Sequence, residues 1–326
     1  MLDRKLGTSS LRVSVLGLGG NTFGPPRISR EATIDIIHAA LDDGVTFIDT
    51  AHGYGQGESE SYIGQALAGK RDRAVVATKF NFRELDGNPV DRIRKHCEES
   101  LRKLRTDYID LLQIHQPTDL ISTDGLLSTL AGLVSEGKIR AYGASNYSGW
   151  RLAESALAAS SLGVPPFASV QNQYSLLYRR AEQEHMQACA RYDISFIPFH
   201  PLAGGLLTGK YRRNEPPPPG TRGAAGSPII KRMSTGPNWD VISRLASWAH
   251  DNGHTVGELA IAWLVAQPCV GTVITGVSNV GQLRQNIRGA DWVLTEDQMA
   301  ELDRLSDTGE NAPTENYAAQ VGRSGQ

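Results

Sequence analysis

Eight short, largely β-branched runs alternate with amphipathic helical stretches along this chain, and that alternation constrains the fold more than any other feature. The runs fall at residues 15–18, 45–48, 74–78, 109–114, 139–143, 168–170, 194–199 and 271–274. Short runs of this composition, bounded by helical patterns, predict β-strands. Helical crossovers between them demand parallel pairing, and eight strand–helix units close naturally into one (β/α)8 barrel. The helix signals agree. Ser29 predicts an N-cap, with Ile34, Ile37 and Leu41 as the apolar face and Gly44 as the stop. Asn88-Pro89 predicts N-cap and first turn, with Ile93, Cys97, Leu101 and Leu104 on one face. Thr123 or Asp124 predicts the start of another helix carrying Leu126, Leu130, Leu133 and Val134, which Gly137 stops.

Two segments fall outside the alternation. Residues 5–13 predict a short hairpin turning at Gly7-Thr8-Ser9 and plugging the barrel floor. Residues 212–237 are Pro/Gly-rich, with four prolines from Pro216 to Pro219, which argues against regular helix or central strand and leaves either a passive surface loop or a lid. The expected domain is a single barrel spanning residues 1–326, with its core at about 4–304 and a polar tail at 308–326.

At 326 residues the chain suits one α/β barrel, and 40% apolar against 21% charged residues supports a large core. Net charge is -2 without a basic block, so nothing points to nucleic acid. No apolar run approaches the roughly 18 residues that span a bilayer, and the first ten residues lack the apolar stretch of a secretory signal. Cys97, Cys189 and Cys269 fit neither a zinc motif nor a complete disulfide framework. A cytoplasmic location follows by exclusion, and no membrane partner is expected.

The polar residues that follow each strand are the strongest functional clue. Gly20 and Asn21 follow the first, Asp49 the second (with His52 and Tyr54 beyond it), Lys79 the third and His115 the fourth. Ser145-Asn146, Gln171, Phe199-His200, and Gly276 with Ser278 follow the others. In a barrel these positions converge on the carboxyl-terminal face, where barrel enzymes keep their active sites. A lone strand-end Asp is often a cap, a lone Tyr is usually packing, and His115 alone reads as a core histidine. Lys79 is different, because a lysine rarely ends a buried strand without a partner. Asp49 on the neighbouring strand supplies one. Tyrosine, with a pKa of ~10, is a poor acid at neutral pH, and a nearby ammonium favours its ionised form. Asp49, Tyr54, Lys79 and His115 together therefore read as a proton-delivery device for a carbonyl oxygen.

At these residues the sequence resembles the aldo-keto reductase family, in its potassium-channel β-subunit-like and bacterial branch. Phe47-Ile48-Asp49-Thr50-Ala51-His52-Gly53-Tyr54-Gly55, Ala77-Thr78-Lys79-Phe80 and Leu112-Gln113-Ile114-His115-Gln116-Pro117 resemble its motifs in order, and the resemblance runs from about Arg4 to Arg304. It implies a catalytic tetrad of Asp49, Tyr54, Lys79 and His115. It also implies an NAD(P)H-dependent oxidoreductase that reduces an aldehyde, ketone or sugar carbonyl, or runs the reverse reaction, with Tyr54 as general acid. Gly20, Asn21 and Asp49 fall among the implied cofactor contacts. Ser145, Asn146 and Gln171 are implied to hold the nicotinamide carboxamide, and Phe199 to stack on its ring where the family commonly has tyrosine. His200 stands where serine is frequent. Pro201, Leu202, Gly204, Leu206 and Lys210 lie in the stretch resembling the loop over the pyrophosphate, and Gly276, Ser278, Gln282 and Asn286 in the adenosine-binding stretch. The chain lacks a G-x-G-x-x-G fingerprint at Gly17-Leu18-Gly19-Gly20, in keeping with that family. NADPH is the implied cofactor, with NADH as the alternative. Asn279 stands where many NADPH-preferring relatives carry a basic residue, and Arg284, Lys210 and Arg212 are candidates to compensate.

The substrate wall is expected at Phe23, Tyr54, Phe82 and His115, for a small carbonyl compound. Two rival readings stand beside this one. A cofactor-binding regulatory subunit of the same fold would turn over slowly. A metal-dependent barrel hydrolase would draw His52, His115 and His200 together, but it leaves Tyr54 and Gln171 unexplained and lacks a His-x-His pair after the first strand, so no metal is expected in the site.

Overall fold

The computed structural model describes residues 1–82 and 87–307, and the polar tail at 308–326 lies outside them. An antiparallel hairpin comes first, with β1 (Asp3–Lys5) against β2 (Arg12–Ser14) and Arg4 opposite Val13. Eight parallel strands follow: β3 (Leu16–Gly19), β4 (Phe47–Asp49), β5 (Val75–Phe80), β6 (Ile109–Ile114), β7 (Ile139–Ser145), β8 (Ser169–Gln173), β9 (Ser195–Phe199) and β10 (Val273–Thr275). Their spatial order is β10-β3-β4-β5-β6-β7-β8-β9, and a Phe196–Val270 bridge draws the two ends together. Around them run α1 (Arg30–Asp42), α2 (Ser59–Ala66), α3 (Pro89–Leu104), α4 (Thr123–Ser135), α5 (Gly149–Leu162), α6 (His185–Tyr192), α7 (Pro228–Met233), α8 (Gly236–Asp251), α9 (Val256–Val265), α10 (Val280–Asp291) and α11 (Glu296–Leu305). This is the single-domain (β/α)8 barrel that the alternation predicts. Among the described residues no helix is long and apolar enough to cross a membrane.

The core has two compartments. Phe47, Ala77, Leu111, Ala141, Ile197 and Ile274 fill the barrel interior, and Leu6, Leu11 and Val13 of the hairpin close its amino end. A larger shell lies between strands and helices. Side chains alternate along a strand, so Asp49, Lys79 and Gln113 share the inward face with Phe47, Ala77 and Leu111. Each inward column thus begins apolar at the floor and ends polar at the carboxyl end.

Local chemistry sets the helix ends. The Ser29 hydroxyl accepts from the Ala32 amide and the Asn88 side chain from that of Asp91. Gly44 and Gly137 follow their helices with φ of 82° and 73°, a conformation that costs glycine nothing. The helix expected to start at Thr123 or Asp124 starts at Thr123, and the Ser122 hydroxyl caps it by accepting from the Gly125 amide. Two details differ from the sequence expectation. In α1 Ile36 and Ile37 are buried while Ile34 is only half-buried, because the buried face centres one position further on. Residues 212–237 are not free of helix either. Pro228 stands in the first turn of α7, where its missing N–H costs nothing, and Ile230 and Met233 bury that helix against the barrel.

Candidate active site

At the carboxyl end of β5, Lys79 is buried and its Nζ donates to both carboxylate oxygens of Asp49, at 2.7 Å each, and to the Thr50 carbonyl at 2.9 Å. β4 and β5 are hydrogen-bonded neighbours, which brings the two side chains together. Asp49 also accepts from Gln171 at 2.8 Å and more weakly from Gln113 at 3.4 Å. Burial alone would lower the lysine's pKa; the Asp49 charge and hydrogen bonds to Asp49 and Tyr54 outweigh it and hold the ammonium form. Nζ lies 5.1 Å from the centroid of the Tyr54 ring, and the His115 ring meets that ring edge-on at 5.8 Å.

Tyr54 and His115 face a cavity of about 1120 Å³. Asn21, Asp49, Ser145, Asn146, Gln171, Phe199, His200, Pro201, Leu202, Gly204, Lys210, Gly276, Ser278, Gln282 and Asn286 line it as well, so the ends of seven barrel strands contribute to one space. The Ser145 hydroxyl donates to the Gln171 carbonyl at 2.9 Å, and the Asn146 amide donates to the His115 carbonyl at 2.9 Å, tying the ends of three strands together. Four residues expected at the site stand off its wall. Gly20 faces Ser59 Oγ and the Asp49 carbonyl, which a Cβ would meet at 2.9 and 3.0 Å. Phe23 and Leu206 are buried in the outer core. Phe82 lies edge-on to Phe80 at 5.9 Å, with the Arg92 guanidinium 5.2 Å from its ring.

Residues 15–307 match the model of the Aldo/keto reductase family. The chain belongs to the aldo-keto reductase family. It is 31% identical to the uncharacterized oxidoreductase YrpG of Bacillus subtilis, over 92% of this chain and 94% of that protein. It is 29% identical to the aldo-keto reductase YhdN of the same organism, over 93% and 91%. A probable voltage-gated potassium channel subunit beta of Arabidopsis thaliana is 30% identical over 90% of this chain and 92% of its own length. The family consists generally of NAD(P)H oxidoreductases, and this aldo-keto reductase is an oxidoreductase in that sense.

Sequence reasoning missed the charge of the cavity. Arg27, from the loop after β3, and Arg222, from the loop after β9, both line it. The Arg222 guanidinium reaches the end of the neighbouring β10, 3.5 Å from where a Cβ on Gly276 would sit. Arg27, Lys210 and Arg222 face a cavity whose one lining carboxylate among the described residues, Asp49, is already paired with Lys79. The signal was an arginine behind Gly220-Thr221 in the loop that follows the seventh barrel strand, on the side where this reductase keeps its polar residues. Of the compensating cations expected from sequence, Lys210 lines the cavity, whereas Arg284 is held by Asp43 at 3.1 Å and Arg212 is exposed outside it. Burial, with the Arg222 and Arg232 charges, pushes His200 down to about 4, so it adds no charge at neutral pH.

The three histidines of the hydrolase reading do not meet. His115 and His200 line the cavity, but His52 points away from it, toward Glu60, Glu99 and His96.

Proposed function

We propose that this chain reduces an aldehyde, ketone or sugar carbonyl to the alcohol, or oxidises the alcohol in reverse, with NADPH as the preferred dinucleotide. The observation that carries the reading is the buried Asp49–Lys79 pair opening onto Tyr54 at the edge of a cation-lined cavity. A nicotinamide cofactor supplies the hydride. Ser145, Asn146 and Gln171 would hold its carboxamide, Phe199 offers a ring face for stacking, and Lys210 and Arg222 offer positive charge to its phosphates. Tyr54 hands its proton to the carbonyl oxygen as that oxygen gains charge. The Lys79 ammonium stabilises the phenolate left behind, which makes the phenol a stronger acid. Asp49 keeps Lys79 in place and charged, and His115 orients the oxygen. Residues 220–228 form one side of the cavity, which favours a lid over a passive loop. Cys97, Cys189 and Cys269 are free, which suits a reducing compartment and a cytoplasmic location.

Tyr54→Phe tests this reading. Turnover of a reducible aldehyde should fall by about 10²-fold or more, with NADPH affinity nearly unchanged. Full activity in that variant would remove Tyr54 from the reaction. A second reading, a cofactor-binding subunit that turns over slowly, draws on the likeness to the Arabidopsis channel subunit. Steady-state rates with a panel of aldehydes separate the two.

A further inference from the structure

A second cluster lies behind the loop that carries Tyr54, on the side away from the cavity. His52 comes from that loop, and His96 and Glu99 stand three residues apart on one face of α3. One donor atom from each of the three lies within 4.8 Å of the other two. His52 Nε2 and Glu99 Oε2 are 3.7 Å apart. Two donors on one tetrahedral zinc, at about 2.0–2.1 Å each, stand roughly 3.4 Å apart, so this pair is already close to bridging distance. Glu99 is the more exposed member and can close the remainder by a side-chain rotation.

The polar atoms around this point are poorly served by the protein itself. His96 is buried, and beyond a contact with the Asn81 backbone neither ring nitrogen completes a well-aligned hydrogen bond among the described residues. Its ring stands edge-on to His52 at 4.8 Å. Glu60 is wholly buried; its Oε1 accepts from Thr78 at 2.6 Å, but its Oε2 lacks a hydrogen-bond donor among the described residues. That Oε2 faces His52 Nδ1 at 3.8 Å, with Lys103 Nζ 4.0 Å away. Burying such atoms unsatisfied is unfavourable. A cation among them would relieve that cost, with Glu60 acting as the outer carboxylate that orients a metal-bound histidine. Burial lowers the pKa of His96, which favours the neutral ring a metal requires.

We infer that His52, His96 and Glu99 bind a first-row divalent cation of the zinc class, with water in the fourth position, and that the bound ion pins the Tyr54 loop to α3. The site lies apart from the hydride chemistry and supplies it with no ligand.

The test is calorimetric titration of chelator-treated full-length protein with Zn²⁺, followed by Co²⁺ loading and visible spectroscopy. One equivalent should bind, Co²⁺ should give the absorption of a tetrahedral nitrogen–oxygen site, and Zn²⁺ should raise Tm. Glu99→Gln and His52→Gln should each weaken binding at least tenfold and abolish the Tm rise. Both are partly exposed positions, so these variants keep the test open if a substitution of buried His96 fails to fold. No saturable binding, or unchanged affinity in both variants, would overturn the site.

Discussion

The two ends of this barrel each bury a carboxylate, and they use it differently. Near the amino end, Asp110 of β6 is buried on the outward face of the sheet. It accepts from Arg71 at 2.6 Å, from Arg140 at 2.9 Å and from the Val76 amide at 2.9 Å. Both guanidiniums also lie against the Tyr108 ring, at 4.2 and 3.8 Å. Asp110 there is saturated with donors, two guanidiniums and one amide, and the hairpin residues Leu6, Leu11 and Val13 seal the interior of that end. At the carboxyl end, Asp49 has one cation, Lys79, whose other side faces Tyr54 and a cavity. Three further cations, Arg27, Lys210 and Arg222, line that cavity without a free carboxylate among the described residues of its walls. A saturated ion cluster holds strands and turns in place; an unsaturated one is poised for a charged ligand. Burial of a charge pair therefore does not mark function by itself.

Breaking the carboxyl-end pair should have the largest effect on activity. Lys79→Met should cost at least the factor expected of Tyr54→Phe, about 10²-fold in kcat. It should also move the activity profile to higher pH, because the phenol loses the ammonium that favours its ionised form. The stability loss should be less than a buried pair normally shows, since Asp49 keeps its hydrogen bond from Gln171 and borders the cavity, where water can enter. A pH–rate profile that keeps its wild-type position would sink the tuning argument.

Breaking the amino-end cluster should reverse that pattern. Asp110→Ala leaves Arg71 without its carboxylate partner and the Val76 amide without an acceptor. Losing one partner of a buried pair costs about 3–5 kcal/mol, and the lower end applies because Arg140 is half-exposed. Denaturant unfolding should show that loss, while the pH profile of the folded fraction stays in place. A shifted profile would mean that the two ends are coupled.

A smaller effect separates the ends by pH. His200 titrates near 4 in the fold, against about 6.5 when unfolded. Between those values the unfolded chain takes up a proton that the folded chain refuses. Stability should therefore fall as pH drops from about 6.5 to about 4, with no contribution from this residue above that window. His200→Gln should flatten part of the slope, and an unchanged slope would show that burial and the nearby arginines do not hold this histidine neutral.

The sequence made the carboxyl end legible where a residue's position follows from a strand. Asp49, Lys79, Gln171 and Ser145 end or lie within strands, so parity and register bring them to one rim. Tyr54 and His115 follow a strand end within a few residues and share that certainty. Phe23 and Phe82 do not, because each lies in a loop whose path decides whether an aromatic ring faces ligand or core, and both rings turned away from the cavity. Arg222 was hard to place for the same reason: residues 212–227 have no periodicity, and only the folded chain shows that the loop brings it beside Gly276. The His52, His96 and Glu99 cluster left a faint trace in the three-residue spacing on α3, but its third member comes from another element.

The last prediction concerns how much charge the rim can still accept. Asn279 is exposed and stands outside the cavity wall, and its side chain caps α10 by accepting from the Gln282 amide at 2.9 Å. If the cofactor's 2′-phosphate lies at this stretch, as the family resemblance implies, Ser278, Asn279 and Gln282 would meet it with hydrogen bonds and no charge, so NADPH should be preferred over NADH only modestly. Asn279→Arg adds a guanidinium at that point. A charge-assisted hydrogen bond is worth about 1.5–3 kcal/mol, but an exposed pair is held to about 1 kcal/mol or less by solvent, so NADPH affinity should rise by no more than about fivefold. The same substitution removes the cap and sets a cation at a helix N-terminus, both unfavourable, and should cost about 0.5–2 kcal/mol of stability. Tryptophan-fluorescence titrations of wild type and variant with both dinucleotides, beside a thermal melt, read the two effects apart. A lower Tm with tightening confined to NADPH is the expected result. Equal tightening for NADH and NADPH, or none for either, would show that the 2′-phosphate lies elsewhere, and would turn the search for its partner to Arg27 and Arg222 in the cavity wall.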